Sequence, residues 1–134
     1  MKYLLDTDTC ILAMRQRKPV TQRILQKNPQ DLAISVVTAG ELLIARHKGR
    51  DQAQIDIQLS RLFPYVRTVA LSAEVAATYA VVRAHFEGIG QIIGANDLWI
   101  AAHALALNCT LVTNNEDEFR RVPNLRIENW TRPE

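Results

Sequence analysis

The chain has 134 residues, and its acidic residues stand where carboxylates could do chemistry rather than solvate a surface. Asp6 follows the apolar run Tyr3-Leu4-Leu5 directly, with Asp8 two residues further on. Glu41 closes Val36-Val37-Thr38-Ala39-Gly40-Glu41, and Asp97 sits in Gly94-Ala95-Asn96-Asp97-Leu98-Trp99-Ile100-Ala101-Ala102. Glu116, Asp117 and Glu118 come soon after Leu111-Val112-Thr113. Taken singly, each has an ordinary account: a helix cap or first-turn acid for Asp8 and Asp97, a capping-box acid for Glu41, a solvated face for residues 116–118. Taken together they ask for another. Two carboxylates brought within about 4 Å repel by about 4 kcal/mol at an effective dielectric of 20, so a fold that gathers several needs a cation or shared protons. Oxygen donors with no His or Cys at ligand spacing favour Mg²⁺ or Mn²⁺ over Zn²⁺. The natural chemistry of such an ion is metal-assisted hydrolysis of a phosphodiester.

These acids converge only if the elements before them lie side by side. Short apolar runs over Lys2–Leu5, Leu32–Val36, Val66–Leu71, Thr110–Thr113 and Leu125–Ile127 predict five strands. Helical stretches alternate with them. Thr9–Arg15 gives one or two turns, and a second helix starts near Pro19 and ends at Asn28-Pro29. Thr38, with Glu41 three residues later, predicts a capping box and a helix to Lys48-Gly49. Further helices run from Asp51 to Phe63-Pro64, from Ser72 through Phe86, and from an Asn96 cap through Leu107 to a left-handed Asn108; Glu116–Arg121 adds one turn. Strands that alternate with helices and are apolar throughout imply a parallel sheet covered on both faces. Ligands bind such sheets outside the carboxyl ends of the strands, where the acids stand.

Composition fits one soluble α/β domain over residues 1–134. Hydrophobic residues make up 48% and charged residues 22%, with five Gly and five Pro, which excludes a collagen-like chain and argues against a disordered one. No apolar stretch reaches a membrane span, and Asp6 interrupts any signal-peptide core, so a cytoplasmic location is expected. Cys10 and Cys109 form no framework and read as small core residues. The net charge of +2 selects no partner.

Tyr3-Leu4-Leu5-Asp6-Thr7, Ile34 to Leu42, Gly94 to Ala102 and Leu111 to Phe119, in that order and at full domain length, resemble the PIN-domain ribonucleases, and among them the VapC type of toxin from bacterial toxin–antitoxin pairs. The resemblance implies an α/β/α sandwich around a central parallel sheet of four to five strands. It implies Mg²⁺-dependent endonucleolytic cleavage of a structured RNA, transfer or ribosomal, with Mn²⁺ able to substitute. It also implies a homodimer and inhibition by a small cognate antitoxin that lays an apolar segment in a groove and puts a basic side chain at the carboxylates. Asp6, Glu41 and Asp97 match the firmest acidic positions, with Asp6 and Asp97 as metal ligands. The fourth acid is Glu118 by its place before Phe119, with Asp117 second; some relatives carry it where this chain has Asn115. The chain departs from the family at Asp8, where Asn is common. Ser35 and Thr38 match polar positions that would hydrogen-bond a carboxylate or a metal-bound water.

RNA binding needs cations around the acids. Arg15, Arg17 and Lys18 are the first candidates, followed by Arg46, His47, Lys48 and Arg50, and by Arg120-Arg121. His85 and His103 show no acid–base partner and read as ordinary helix residues; Leu59, Leu62, Tyr79 and Phe86 fit either a dimer interface or the core. Two other readings compete. Leu4 to Thr9 looks like the start of the nucleophile motif of haloacid-dehalogenase phosphatases, with Asp6 as nucleophile, though Cys10 is unusual there. A non-catalytic RNA- or protein-binding domain is the third, and the intact acids argue against it.

Overall fold

The structure is a computed structural model that describes residues 1–49 and 51–133. Five parallel strands form one sheet in the order β3-β2-β1-β4-β5, with β1 (Tyr3–Leu5) in the middle, β2 (Leu32–Ser35) and β3 (Arg67–Val69) on one side, and β4 (Thr110–Val112) and β5 (Ile127–Glu128) on the other. In register, Leu4 lies beside Ala33 and Leu111, and Leu5 beside Val112.

Successive side chains of a strand point to opposite faces, and each face has its own core. Leu5, Leu32, Ile34 and Val112 pack with residues of α1 (Thr7–Met14), α2 (Lys18–Gln26) and α5 (Gln52–Ser60). Leu4, Ala33 and Leu111 pack under α6 (Ala73–Gly88) and α7 (Ala95–Leu107). The result is the expected α/β/α sandwich with helices on both faces. Phe86, Leu59 and Leu62 are buried within these cores. Among the described residues no helix is long and apolar enough to cross a membrane.

Several boundaries differ from the sequence reading, each for a local reason. α1 begins at Thr7, because Asp6 itself is the cap and accepts from the Thr9 amide. α3 (Val36–Leu43) begins two residues before Thr38, because Ser35 accepts from the Val37 amide; the expected Thr38–Glu41 capping box does not form. The helix foreseen to Lys48 is broken at Ile44, and α4 (Ala45–Lys48) follows. Gly94 rather than Asn96 caps α7, without a side-chain bond, and Asn96 falls in its first turn. β5 starts later than expected because Asn124, at φ 66°, turns the chain beforehand. Asp51, Ser72 and left-handed Asn108 end or begin their helices as the sequence predicts.

Candidate active site

The strand ends bring the acids together. Asp6 is 3% exposed, although its residue type is almost never fully buried unless paired. Both of its oxygens are held: Oδ1 accepts from the Thr9 amide at 2.8 Å, and Oδ2 accepts from the Thr113 hydroxyl at 2.6 Å. Thr113 comes directly after β4, level with Asp6 after β1, since Leu5 and Val112 are in register. Burial raises the Asp6 pKa above its ordinary value, the bonds from Thr113 and Thr9 pull it down, and the charge of exposed Asp8 pushes it up again.

Glu41 lies one and a half turns into α3. Its Oε1 accepts from the Thr7 hydroxyl at 2.5 Å, and the same hydroxyl lies 3.2 Å from that of buried Thr38. Thr38 and Glu41, three apart on a helix, share a face, so the spacing that suggests a capping box instead presents both to Thr7.

Asp97 stands in the first turn of α7 and is hydrogen-bonded to Glu118 of α8 (Glu116–Phe119). Glu118 is fixed by its neighbours: the Gly94 amide donates to Oε1 at 3.2 Å, and the Asn115 side-chain amide donates to Oε2 at 2.9 Å. Burial, then the charge and hydrogen bond of Glu118, then the charges of Asp6 and Glu41, raise the Asp97 pKa from 3.8 to about 7. The charges of Asp6, Glu41 and Glu118 thus all bear on Asp97, beyond the carboxyl ends of β1 and β4.

The arrangement suits a hard cation. Burial and the neighbouring carboxylates raise the Asp97 pKa, the mark of negative charge crowded together without a counter-charge. Among the described residues, no three His, Cys, Asp or Glu side chains enclose an ion by themselves. Mg²⁺ does not require such a cage, because it keeps several waters and takes one or two carboxylates. The donors at hand are all oxygen, as that ion prefers.

Other sequence-based expectations sort by position. Asn115 joins the site through Glu118, and Thr38 through Thr7. Asp117 does not: its side chain is fully exposed and pairs with Arg120 at 3.7 Å. Glu116 is engaged by Asn129 and Arg132, which hold its pKa below the ordinary value and fasten the C-terminal segment. Ser35 reaches no carboxylate; its hydroxyl lies 2.8 Å from His103 Nδ1.

Of the basic residues, Arg46 pairs with Asp56, Arg120 with Glu116 and Asp117, and Arg121 holds the Ile92 carbonyl at 2.9 Å. Arg50 lies outside the described residues. Arg15, Arg17 and Lys18 are exposed at the far end of α1, about 12 Å from its start at 1.5 Å per residue. Arg17 also lines a 290 Å³ surface cavity with Asn114, two residues beyond β4, and Thr131. Tyr79 stacks on Trp99 at 3.7 Å between ring centres. Thr7, Thr113 and His103 escaped the sequence reading. The only signal for the first two was a hydroxyl beside each strand end, and His103 had none.

Comparison with known proteins agrees with this geometry. The PIN domain family matches residues 3–125. Ribonuclease VapC2 of Rickettsia felis is 41% identical over 97% of this chain and 98% of its own length. The tRNA(fMet)-specific endonuclease VapC of Salmonella typhimurium is 31% identical over 97% and 98%. The crystal structure of VapBC2 from Rickettsia felis, bound to a DNA fragment from its promoter, superimposes with a TM-score of 0.88 at 36% identity, over 97% of this chain and 99% of that one. These matches decide between the two readings of Asp6-Thr7-Asp8 and set the phosphatase aside. The chain belongs to the PIN domain family and, within it, to the VapC ribonucleases.

Proposed function

We propose that this chain is a divalent-metal-dependent endoribonuclease, the toxin of a VapBC-type toxin–antitoxin pair, and that it folds and works as a single cytoplasmic domain over residues 1–134. The observation that carries the reading is the convergence of Asp6, Glu41, Asp97 and Glu118, with Asp97 and Glu118 hydrogen-bonded to each other. Its substrate is a structured RNA, a transfer or ribosomal RNA. The name of the Salmonella typhimurium relative favours the first. Its partners are a small antitoxin and a second copy of itself, and the Rickettsia felis complex supports the first of these.

Nuclease chemistry of this family depends on a divalent metal. We assign it here as Mg²⁺, with Mn²⁺ able to substitute, on the all-oxygen donor set. Asp6 and Asp97 would hold the ion, which would supply Lewis-acid activation of water and of the phosphate. The remaining work belongs to the protein. Thr113 and the Thr9 amide keep Asp6 in one orientation. Glu41, set by Thr7, and Glu118, set by Asn115 and the Gly94 amide, orient water for in-line attack that leaves a 5′-phosphate and a 3′-hydroxyl. Arg15, Arg17 and Lys18 draw the RNA backbone toward the acids, while Asp8 adds negative charge at the rim.

The test is cleavage of total transfer and ribosomal RNA by the purified chain in Mg²⁺, in Mn²⁺ and in EDTA, with Asp97→Asn beside the wild type. Cleavage with either ion alone, abolished by EDTA and by the substitution, is the expected result. Undiminished cleavage in excess EDTA overturns the reading.

A further inference from the structure

His103 lies on α7, six residues beyond Asp97, and is fully buried. Six residues turn a helix by about 240°, so its ring points away from the acids, toward the junction of β2 and α3. There Nδ1 lies 2.8 Å from Ser35 Oγ. That oxygen already accepts from the Val37 amide at 3.1 Å, as the cap of α3. Its single proton is therefore free to point at the ring. A second lone pair is free as well, so the hydroxyl pairs with Nδ1 in either tautomer of the ring, and Nε2 has no hydrogen-bond partner among the described residues. Burial pushes the His103 pKa down and keeps the ring neutral. An apolar side chain of similar volume would fill this place without an unpaired polar atom. The one polar contact shown for the ring is its bond to Ser35.

What it joins is informative. Ser35 begins the helix that carries Thr38 and Glu41, and His103 belongs to the helix that carries Asp97. We propose that the Ser35–His103 hydrogen bond is a clip that sets Glu41 relative to Asp97, making His103 a positioning residue for RNA cleavage. The proposal rests on the nuclease reading above. Its geometric half stands apart from that reading: the two helices are tied through one hydroxyl and one ring nitrogen.

Two measurements test it. The first needs no metal and no RNA: ¹⁵N spectra of the histidine rings in the EDTA-treated chain at pH 7. A His103 Nδ1 signal that marks a hydrogen-bonded ring nitrogen, and that shifts in Ser35→Gly, is expected. A His103 Nδ1 signal left unchanged by Ser35→Gly overturns the clip whatever the protein's activity. Glycine serves as the partner change because it caps a helix nearly as well as serine yet has no hydroxyl.

The second is cleavage in Mn²⁺ well below the melting temperature of each variant, with Asp97→Asn as the control for the nuclease reading itself. His103→Leu and Ser35→Gly should each lower kcat about tenfold with KM within a factor of two. The double variant should be no worse than either alone. His103→Asn, which returns an acceptor near the place of Nδ1, should recover most of the loss. Wild-type kcat in folded His103→Leu, or additive losses in the double variant, would overturn the positioning role; if His103→Leu does not fold, Ser35→Gly with unchanged kcat does the same. Should wild type and Asp97→Asn cleave alike, it is the nuclease reading that fails, while the ring spectra still decide the clip.

Discussion

Thr113 donates its hydroxyl to Asp6 across 107 residues of sequence, at 2.6 Å, on the buried side of the carboxylate. With the Thr9 amide on the other oxygen, the bond leaves Asp6 one orientation before any ion arrives. A hydrogen bond to a charged group contributes about 1.5–3 kcal/mol, or about ten- to 150-fold in a rate that depends on it. Thr113→Val keeps the shape and removes the donor, so cleavage in Mn²⁺ should fall within that range. Thr113→Ser should retain most of it. Initial rates on one RNA with all three proteins make the comparison, and a fully active Thr113→Val would mean that Asp6 needs no such support.

Asp97→Asn separates a structural acid from a metal ligand. An acid that serves only the helix dipole loses about 0.3–1 kcal/mol of stability on neutralisation and leaves activity alone. Here the substitution removes a charge crowded by Glu118, Asp6 and Glu41. The metal-free protein should melt at the same or a higher temperature than wild type, while cleavage drops by orders of magnitude. Melting in EDTA and cleavage in Mn²⁺ read the two signs.

The same crowding makes stability depend on pH. Asp97 has a folded-state pKa of about 7 against an ordinary 3.8, so its protonated form stabilises the fold. That contribution is complete below about pH 3.8 and is lost as pH rises through 7. Asp6, also shifted upward, acts in the same direction. Buried His103, shifted downward, acts against both near pH 6, so the comparison must be with Asp97→Asn, which retains it. Between pH 5 and 8 in EDTA, the melting temperature of wild type minus that of Asp97→Asn should fall as pH rises. A flat difference would contradict the raised Asp97 pKa. Mn²⁺ should raise the melting temperature more at pH 8 than at pH 6, because it competes with the proton on Asp97.

Asp117 and Glu118 are neighbours with opposite surroundings. Asp117→Asn changes only an exposed pair with Arg120 and should leave cleavage at the wild-type rate. Glu118→Gln disturbs Asp97, Asn115 and the Gly94 amide together and should lower cleavage at least tenfold. Parallel rate measurements on the two variants decide which acid is the fourth.

Replacing Arg15, Arg17 and Lys18 with glutamine should weaken RNA binding and leave the chemical step intact. Each lost phosphate contact reduces the slope of log K against log salt by about 0.7–0.9. KM should rise and become less salt-dependent at an unchanged kcat. An unaltered salt slope would place the RNA elsewhere on the surface.

The sandwich was legible because its strands are apolar on both faces and break to acid at their ends, a pattern that fixes sheet type and binding edge together. Asp6, Glu41 and Asp97 were legible for the same reason. The choice between Asp117 and Glu118 was not, because a four-residue helix has no hydrophobic period from which to read its phase. Thr38 and Glu41 satisfied a capping pattern that the chain uses for another purpose, and Ser35, taken for a hydroxyl facing the site, serves a ring behind it. His103 looked like one more residue of an apolar helix. Its partner lies 68 positions away, and only strand register brings the two together.

The place of β1 in the middle of the sheet governs when the protein becomes dangerous to the cell that makes it. The first strand synthesised waits for the fourth, so Asp6 meets Thr113 only after nearly the whole chain has left the ribosome. Glu118 emerges later still. A message cut short, or a ribosome that stalls before codon 113, yields a fragment whose first strand is bordered on one flank and which lacks Thr113 and Glu118. In such a fragment Asp6 lacks the hydroxyl that orients it, so the site is assembled only in the last stretch of synthesis.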